Sequence, residues 1–250
     1  GEIYAANKRY DDSREIFLLA YHRAPIGKNI LYRLIEVSLK MKDIQEAEEF
    51  YEEFLEIAPN DSTRYILNYK ISKEKQVPLE QQIRILEEYK EQALEESEKM
   101  SEQLEDAIAR YGIQDQVEVD FNAQYVMLNM NGALLFDSGH AEIRSEAYPL
   151  IDKLGKLIEP YQDNIIEVEG HTDNVPIHSA KYEDNDVLSF YRARAVTDYL
   201  RDITTVEPAH LKASGRGEYV PVADNTTQEG RSRNRRVIIK IYNSYSSDFN

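Results

Sequence analysis

Ile165-Ile166-Glu167-Val168-Glu169-Gly170-His171-Thr172-Asp173-Asn174 is the stretch that decides the fold of the second half of this 250-residue chain. Its apolar start has the composition of a strand, and the polar cluster from Glu169 to Asn174 leaves that strand's C-terminal end. Working outward, a helix is expected upstream, with apolar residues at Ile143, Ala147, Leu150, Ile151, Leu154 and Ile158. Before it, Val117, Val119 and Phe121, then Val126, Leu128 and Met130, alternate with period two and give two strands joined near Asn122. Downstream come a helix from Leu188 to about Ile203, a short strand near Leu211 to Ala213, and a last strand, Arg236 to Tyr242, with Val237, Ile239 and Ile241 on one side. Strands separated by helices, with one sheet face covered, make a mixed α/β sandwich.

The first half has a different period. At an offset of 34 residues Pro25 falls on Pro59, Phe17 on Tyr51, Ala20 on Phe54 and Ser13 on Ala47. A hairpin of two helices explains this: a small residue lets the helices approach, aromatics fill the groove and proline ends the unit. Residues 28–61, with Leu31, Leu34, Ala47, Tyr51 and Pro59, resemble one whole tetratricopeptide repeat; Leu31 and Ile35 stand where that family has Trp and Gly. An earlier partial copy and a degenerate later one (Tyr65, Tyr69, Pro78, Ile85) flank it. The inward Tyr32 and Glu36 show no basic clamp, so a packing module is favoured over a peptide-binding one, with a protein partner left open.

From Leu79 to Tyr111 the sequence reads as one helix that Gly112 stops. Its thin stripe (Leu94, Met100, Leu104, Ile108, Tyr111) suits a connector or a dimer seam, and a homodimer is expected from it. The organisation expected is therefore α+β overall: all-α helical-hairpin repeats over 1–92, a connector helix over 93–112, a mixed α/β sandwich over 113–243 and a tail over 244–250.

Composition narrows the function. Lys and Arg number 30 against 46 Asp and Glu, a net charge of −16 that disfavours nucleic acid, whose phosphates need a basic face. With no Cys there is neither a disulfide nor a zinc-thiolate site, and the histidines (His22, His140, His171, His178, His210) include no helical i, i+4 pair, so no metal is expected. No run of about 18 apolar residues offers a membrane span; any anchor or export signal the protein has is expected to lie outside this chain. Phosphate loops, dinucleotide fingerprints, Gly-x-Ser-x-Gly elbows and cysteine nucleophiles are missing, so no enzyme and no cofactor are expected. A cell-wall hydrolase built on His171 and Asp173 ranks last, since their i, i+2 spacing does not favour a base with its orienting partner.

What remains is a set of polar motifs at strand and helix ends. Beside Glu169 to Asn174 stand Asn185-x-x-Leu188-Ser189-x-x-Arg192-Ala193, opening a helix, and Asn225-x-Thr227-x-Glu229-Gly230-Arg231-x-x-Asn234-Arg235-Arg236-Val237, leading into the last strand. Asp173 and Arg192 together could hold a zwitterion, the carboxylate taking an ammonium and the planar guanidinium gripping a carboxylate at two points. The alternative is a structural salt bridge between them. Arg231, Arg233, Arg235 and Arg236 form the basic cluster, expected to pair with acids and fix their loop.

Together with Leu135-Phe136-Asp137-Ser138-Gly139-x-Ala141-x-Ile143, these motifs resemble the OmpA-like peptidoglycan-binding domain over about residues 115–243. Thr172 to Ile177, Asn185 to Ser189 and Glu229 to Arg231 are most similar to its flagellar, MotB-like stator branch. The resemblance implies that Asp173 and Arg192 bind the ammonium and carboxylate ends of the diaminopimelate of a stem peptide. It implies further that Thr172 and Asn185 line the same pocket, and that Asp137 and Val237 bring backbone groups to the ligand. The longer segment between Asn174 and Asn185 would be a flap. Implied with these are peptidoglycan as partner, anchoring to the cell wall as function, and a place in the cell envelope outside the inner membrane. The competing reading is a tetratricopeptide-type interaction scaffold of the envelope.

Overall fold

The computed structural model describes residues 1–23, 27–177 and 181–246. Pro25, His178 and part of the expected flap lie outside the described residues. The chain divides into two compact units, one ending at Gln92 and the other starting at Ala93.

The first unit contains α1 (Glu2–Ala6), α2 (Tyr10–Arg23), α3 (Lys28–Met41), α4 (Ile44–Ile57), α5 (Thr63–Glu74) and the residues of α6 (Leu79–Tyr111) up to Gln92. Apolar residues at helical spacing account for the pairing. In α3, Leu31, Leu34 and Ile35 are fully buried, and in α4 Ala47, Phe50 and Phe54 face them in one cluster. Lys42, in the left-handed region at φ 64°, ends α3, and the Asp43 carboxylate accepts the Glu46 N–H to cap α4. Ser13, 34 residues before Ala47, is likewise fully buried. Side chains 32 residues apart stitch alternate helices: Arg14 and Tyr21 of α2 pair with Glu46 and Glu53 of α4, and Lys42, just after α3, pairs with Glu74 of α5. A base does answer the inward Glu36, because Lys70 Nζ lies 2.8 Å from its carboxylate. That base is thereby used within the unit.

The second unit is one five-stranded sheet in the order β1-β2-β5-β3-β4, with β1 (Glu118–Phe121), β2 (Tyr125–Asn131), β3 (Ile166–Gly170), β4 (Leu211–Gly215) and β5 (Arg236–Tyr242). The Asn122 carboxamide oxygen accepts the N–H groups of Gln124 and Tyr125 and turns the β1–β2 hairpin. All pairings are antiparallel except β3 with β4, which are parallel and joined through α8 (Asn185–Ile203). α7 (Tyr148–Ile158) and α8 contribute Ile151, Leu154, Ala193 and Val196 to the core that the inward residues of β2, β3 and β5 complete. The outward residues Glu167, Glu169, Lys240 and Tyr242 form the other, polar face. Among the described residues, no helix is long and apolar enough to cross a membrane.

Three local expectations change. Met100, Leu104 and Ile108 of α6 are 6%, 1% and 3% exposed and belong to the core of this unit. The stripe read as a connector or dimer seam is occupied within the chain itself, and only Leu94 and Tyr111 stay exposed. Ile143 precedes its helix: it bridges Phe136, and Pro149 in the first turn starts α7 at Tyr148. Before β5 there is an additional short helix, α9 (Gln228–Asn234), capped by the Thr227 hydroxyl, which accepts the Gly230 N–H.

Two glycines bring the strand ends against α8. A Cβ at Gly170 would lie 2.0 Å from the Ser189 carbonyl oxygen, and one at Gly215 would lie 2.6 Å from the Phe190 nitrogen. The loop after β3 and the first turns of α8 therefore meet at close quarters.

Candidate ligand-binding site

The loop after β3 is held by its backbone. The His171 N–H donates to Arg236 O at 3.0 Å and the Thr172 N–H to Gly217 O at 2.9 Å, which fixes where the next residue points. Asp173 then folds back, its Oδ1 accepting the Val175 N–H at 3.0 Å, while Oδ2 is paired with Arg235. Asn185 at the start of α8 fastens the same loop from the other side: its Nδ2 lies 3.3 Å from Asp173 O, 3.1 Å from Val175 O and 3.0 Å from Glu218 Oε2.

Arg192 lies two turns along α8 and is only 5% exposed. Its Nε donates to His140 O at 2.8 Å and its Nη2 to Asp137 O at 3.2 Å, and the guanidinium stands 5.3 Å from the Phe136 ring centroid. Among the described residues, no carboxylate forms an ion pair with it. Burial, reinforced by the neighbouring charge of Arg235, lowers Arg192 to about 10, against the opposing influence of Tyr182 and Asp173. It thus keeps its charge at neutral pH while buried without an anion, an expensive state for a protein interior.

The residues singled out from sequence fall in distinct places. Asp173, Asn185, Thr172 and Arg192 are all buried around this loop, and Thr172 Oγ1 has no hydrogen-bond partner. Asp173 and Arg192 do not pair with each other. Asp137 contributes its carbonyl to Arg192, while its carboxylate is exposed and 3.7 Å from Arg144 Nε. Val237 is fully buried on β5, in register with Gly170 and Met130. Of the basic cluster, Arg235 holds the carboxylate of Asp173; Arg231 and Arg236 donate to backbone carbonyls. Sequence reading missed Arg235 as the partner of Asp173 and missed Glu218 beside Asn185. The Asn234-Arg235-Arg236 motif was visible, but its partner was not. Asn234, fully buried, staples the preceding loop by accepting the N–H groups of Val222 and Ala223 and donating to Ala223 O and Asn225 Oδ1.

Beneath the loop a charge cluster surrounds the buried Glu169, with Arg216 on its exposed side. Glu169 Oε1 is 2.8 Å from both Arg216 Nη2 and Lys240 Nζ, and Oε2 is 3.5 Å from His171 Nε2. Burial alone would raise this carboxyl, but His171, Lys240 and Arg216 outweigh it and hold the group well below the usual carboxylate range. Burial keeps the His171 imidazole below its usual value. A depressed carboxyl stabilises the fold in full above its unfolded value, about 4.3, and that contribution is lost as pH falls through the folded value. Glu169→Gln is expected to destabilise this unit by about 3 kcal/mol at neutral pH. It should also flatten the loss of stability between about pH 5 and pH 3, as read from urea midpoints. A difference from wild type that stays constant across that range would exclude the carboxylate as its source.

Residues 135–235 match the OmpA family. Motility protein B of Bacillus subtilis is 35% identical over 147 residues, covering 59% of this chain and 56% of that protein. A MotB-like protein from Desulfovibrio vulgaris aligns in structure with a TM-score of 0.57 at 27% identity, covering 61% of this chain and 94% of that one. The cell wall anchor of the T6SS from Pseudomonas aeruginosa aligns with a TM-score of 0.52 at 33% identity, covering 56% of this chain and 96% of that one. The chain spans about half the length, or less, of the curated relatives it matches first. With four motifs in order and this loop at the end of β3 of the five-stranded sheet, residues 135–235 carry an OmpA family domain.

Proposed function

We propose that the second unit binds peptidoglycan without cleaving it, through the diaminopimelate of a stem peptide, and so anchors the protein or its complex to the cell wall as a MotB-like stator anchor does. The observation that carries this reading is the buried, charged Arg192 guanidinium, which among the described residues is hydrogen-bonded to carbonyl oxygens and has no anion beside it. A ligand carboxylate would supply that anion in planar, two-point fashion. Asp173 would then turn part of its charge from Arg235 to the ligand's ammonium group, with Thr172 and Asn185 lining the pocket and Asp137 shaping it through its carbonyl. Val237 supports the site from below, in the sheet. The similarity to the T6SS cell wall anchor supports the same role for this chain, and a chain with peptidoglycan as partner would work in the cell envelope outside the inner membrane.

Co-sedimentation with purified sacculi tests the proposal. The wild-type chain is expected in the pellet, and free diaminopimelic acid at millimolar concentration is expected to release it, because each charge-assisted bond is modest and the free amino acid carries the same groups. Retention that this competitor leaves untouched would remove the diaminopimelate reading.

A further inference from the structure

Beside Arg192, one face of α8 is neither core nor ordinary charged surface. Tyr191, Arg194, Ala195, Asp198 and Asp202 recur at helical spacing and line a groove of about 460 Å³, closed on the other side by Ala141, Glu142, Tyr148 and Tyr182. Four tyrosines meet there in two pairs. The rings of Tyr182 and Tyr191 are 5.8 Å apart and those of Tyr148 and Tyr199 are 4.8 Å apart. Tyr199 is fixed by donating to Asp152 Oδ1 at 2.8 Å, whereas Tyr191 and Tyr148 remain 46% and 37% exposed.

Resting on the peptidoglycan reading above, we infer that this groove receives the glycan strand, the N-acetylated amino-sugar disaccharide that carries the stem peptide. Continuity comes first. Tyr182 and Ala141 both line the groove and pack with Leu188, one turn before Arg192 on α8, and Ala141 follows directly on His140, whose carbonyl Arg192 holds. The groove and the proposed stem-peptide pocket thus share a wall. In peptidoglycan two residues separate the diamino acid from the sugar, an extended reach of about 7 Å, so a sugar site has to adjoin the stem-peptide pocket. The chemistry agrees. A sugar ring has an apolar C–H face and a rim of hydroxyl and acetamido groups, and the groove offers exposed aromatic faces flanked by Asp198, Asp202 and Arg194. Its charged lining is three acids and two bases, with Glu142 paired to Lys181 and Arg194 to Asp198. That balance sets up no strong field that would select a highly charged polymer.

Titration calorimetry on the full chain with two probes tests the inference: a disaccharide muropeptide and the same stem peptide without sugar. The muropeptide is expected to bind more tightly, and Tyr191→Ala and Tyr148→Ala are each expected to weaken it about three- to tenfold while leaving the sugar-free peptide unchanged. Equal binding of both probes, insensitive to these variants, would overturn the glycan assignment and leave the stem-peptide pocket standing. No binding of either probe to wild type would remove the stem-peptide reading and the groove's role with it. A wild-type dimer that Tyr191→Ala converts to a monomer in sedimentation would give the groove to a second copy instead, and would equally overturn the inference.

Discussion

Arg192→Met is expected to abolish retention on sacculi while leaving the urea midpoint of the second unit within about 1 kcal/mol of wild type. The two halves of that expectation come from the same geometry. Removing the guanidinium releases the carbonyls of His140 and Asp137, and both residues are exposed, so water can replace the lost donors. The methionine chain keeps the volume and the contact with Phe136, and the unfavourable burial of an unpaired cation disappears. Binding, in contrast, loses the group that would meet the ligand carboxylate in a desolvated place. Truncating one side of such a pair removes about 2–5 kcal/mol, or roughly thirtyfold to several-thousandfold in affinity. Arg192→Lys should fall between, having charge but no planar fork. Asp173→Asn should cost less binding than Arg192→Met, since Asp173 already has Arg235 and the Val175 N–H as partners. A melting curve that collapses in Arg192→Met would make this side chain a structural element. Unchanged retention would take it out of the site.

What the sequence made legible, and what it hid, follow from how far apart the deciding contacts lie. The alternation of Val126, Leu128 and Met130, and of Val237, Ile239 and Ile241, is local, and both strands lie where that period puts them. The long helix from Leu79 to Tyr111 was equally readable, because Gly112 takes φ +65° just past its end. The role of its stripe was not, since a thin apolar row looks the same whether it faces another chain or the chain's own sheet. α9 escaped because Gln228-Glu229-Gly230-Arg231-Ser232-Arg233-Asn234 has no apolar period and owes its helix to the Thr227 cap and to the loop that Asn234 holds. Within the site, Asp173 and the start of α8 were marked by their motifs. The partner of Asp173 lies 62 residues away and is chosen by the register that sets Gly170 of β3 opposite Val237 of β5, which no local pattern encodes.

Gly170→Ala carries the largest expected loss of stability. The obstacle is not the backbone angle, since Gly170 is not among the glycines at positive φ; it is space. The added methyl would lie 2.0 Å from Ser189 O, 2.9 Å from its carbonyl carbon and 3.3 Å from its Cα, all backbone atoms that cannot rotate aside. Relief requires the end of β3 and α8 to separate. Yet Ser189 is fully buried, its hydroxyl donates to Asp186 O and accepts the Gly217 N–H, and Gly215 of the neighbouring strand presses on the same turn. Overpacking of this kind lies at or beyond the upper end of the usual range, about 3 kcal/mol. Gly112→Ala is the matching control: its φ is +65° but no atom lies within 4 Å of the added carbon, so only the left-handed backbone is penalised, by about 1 kcal/mol. Urea denaturation should therefore give a far lower midpoint for Gly170→Ala than for Gly112→Ala. Because the same displacement moves Asp173 on the loop away from Arg192 on the helix, residual folded Gly170→Ala should also bind sacculi poorly, where Gly112→Ala binds as wild type. A Gly170→Ala chain as stable as wild type would mean that α8 does not sit on β3 at this distance, and with it the spacing of the two charged groups would have to be redrawn.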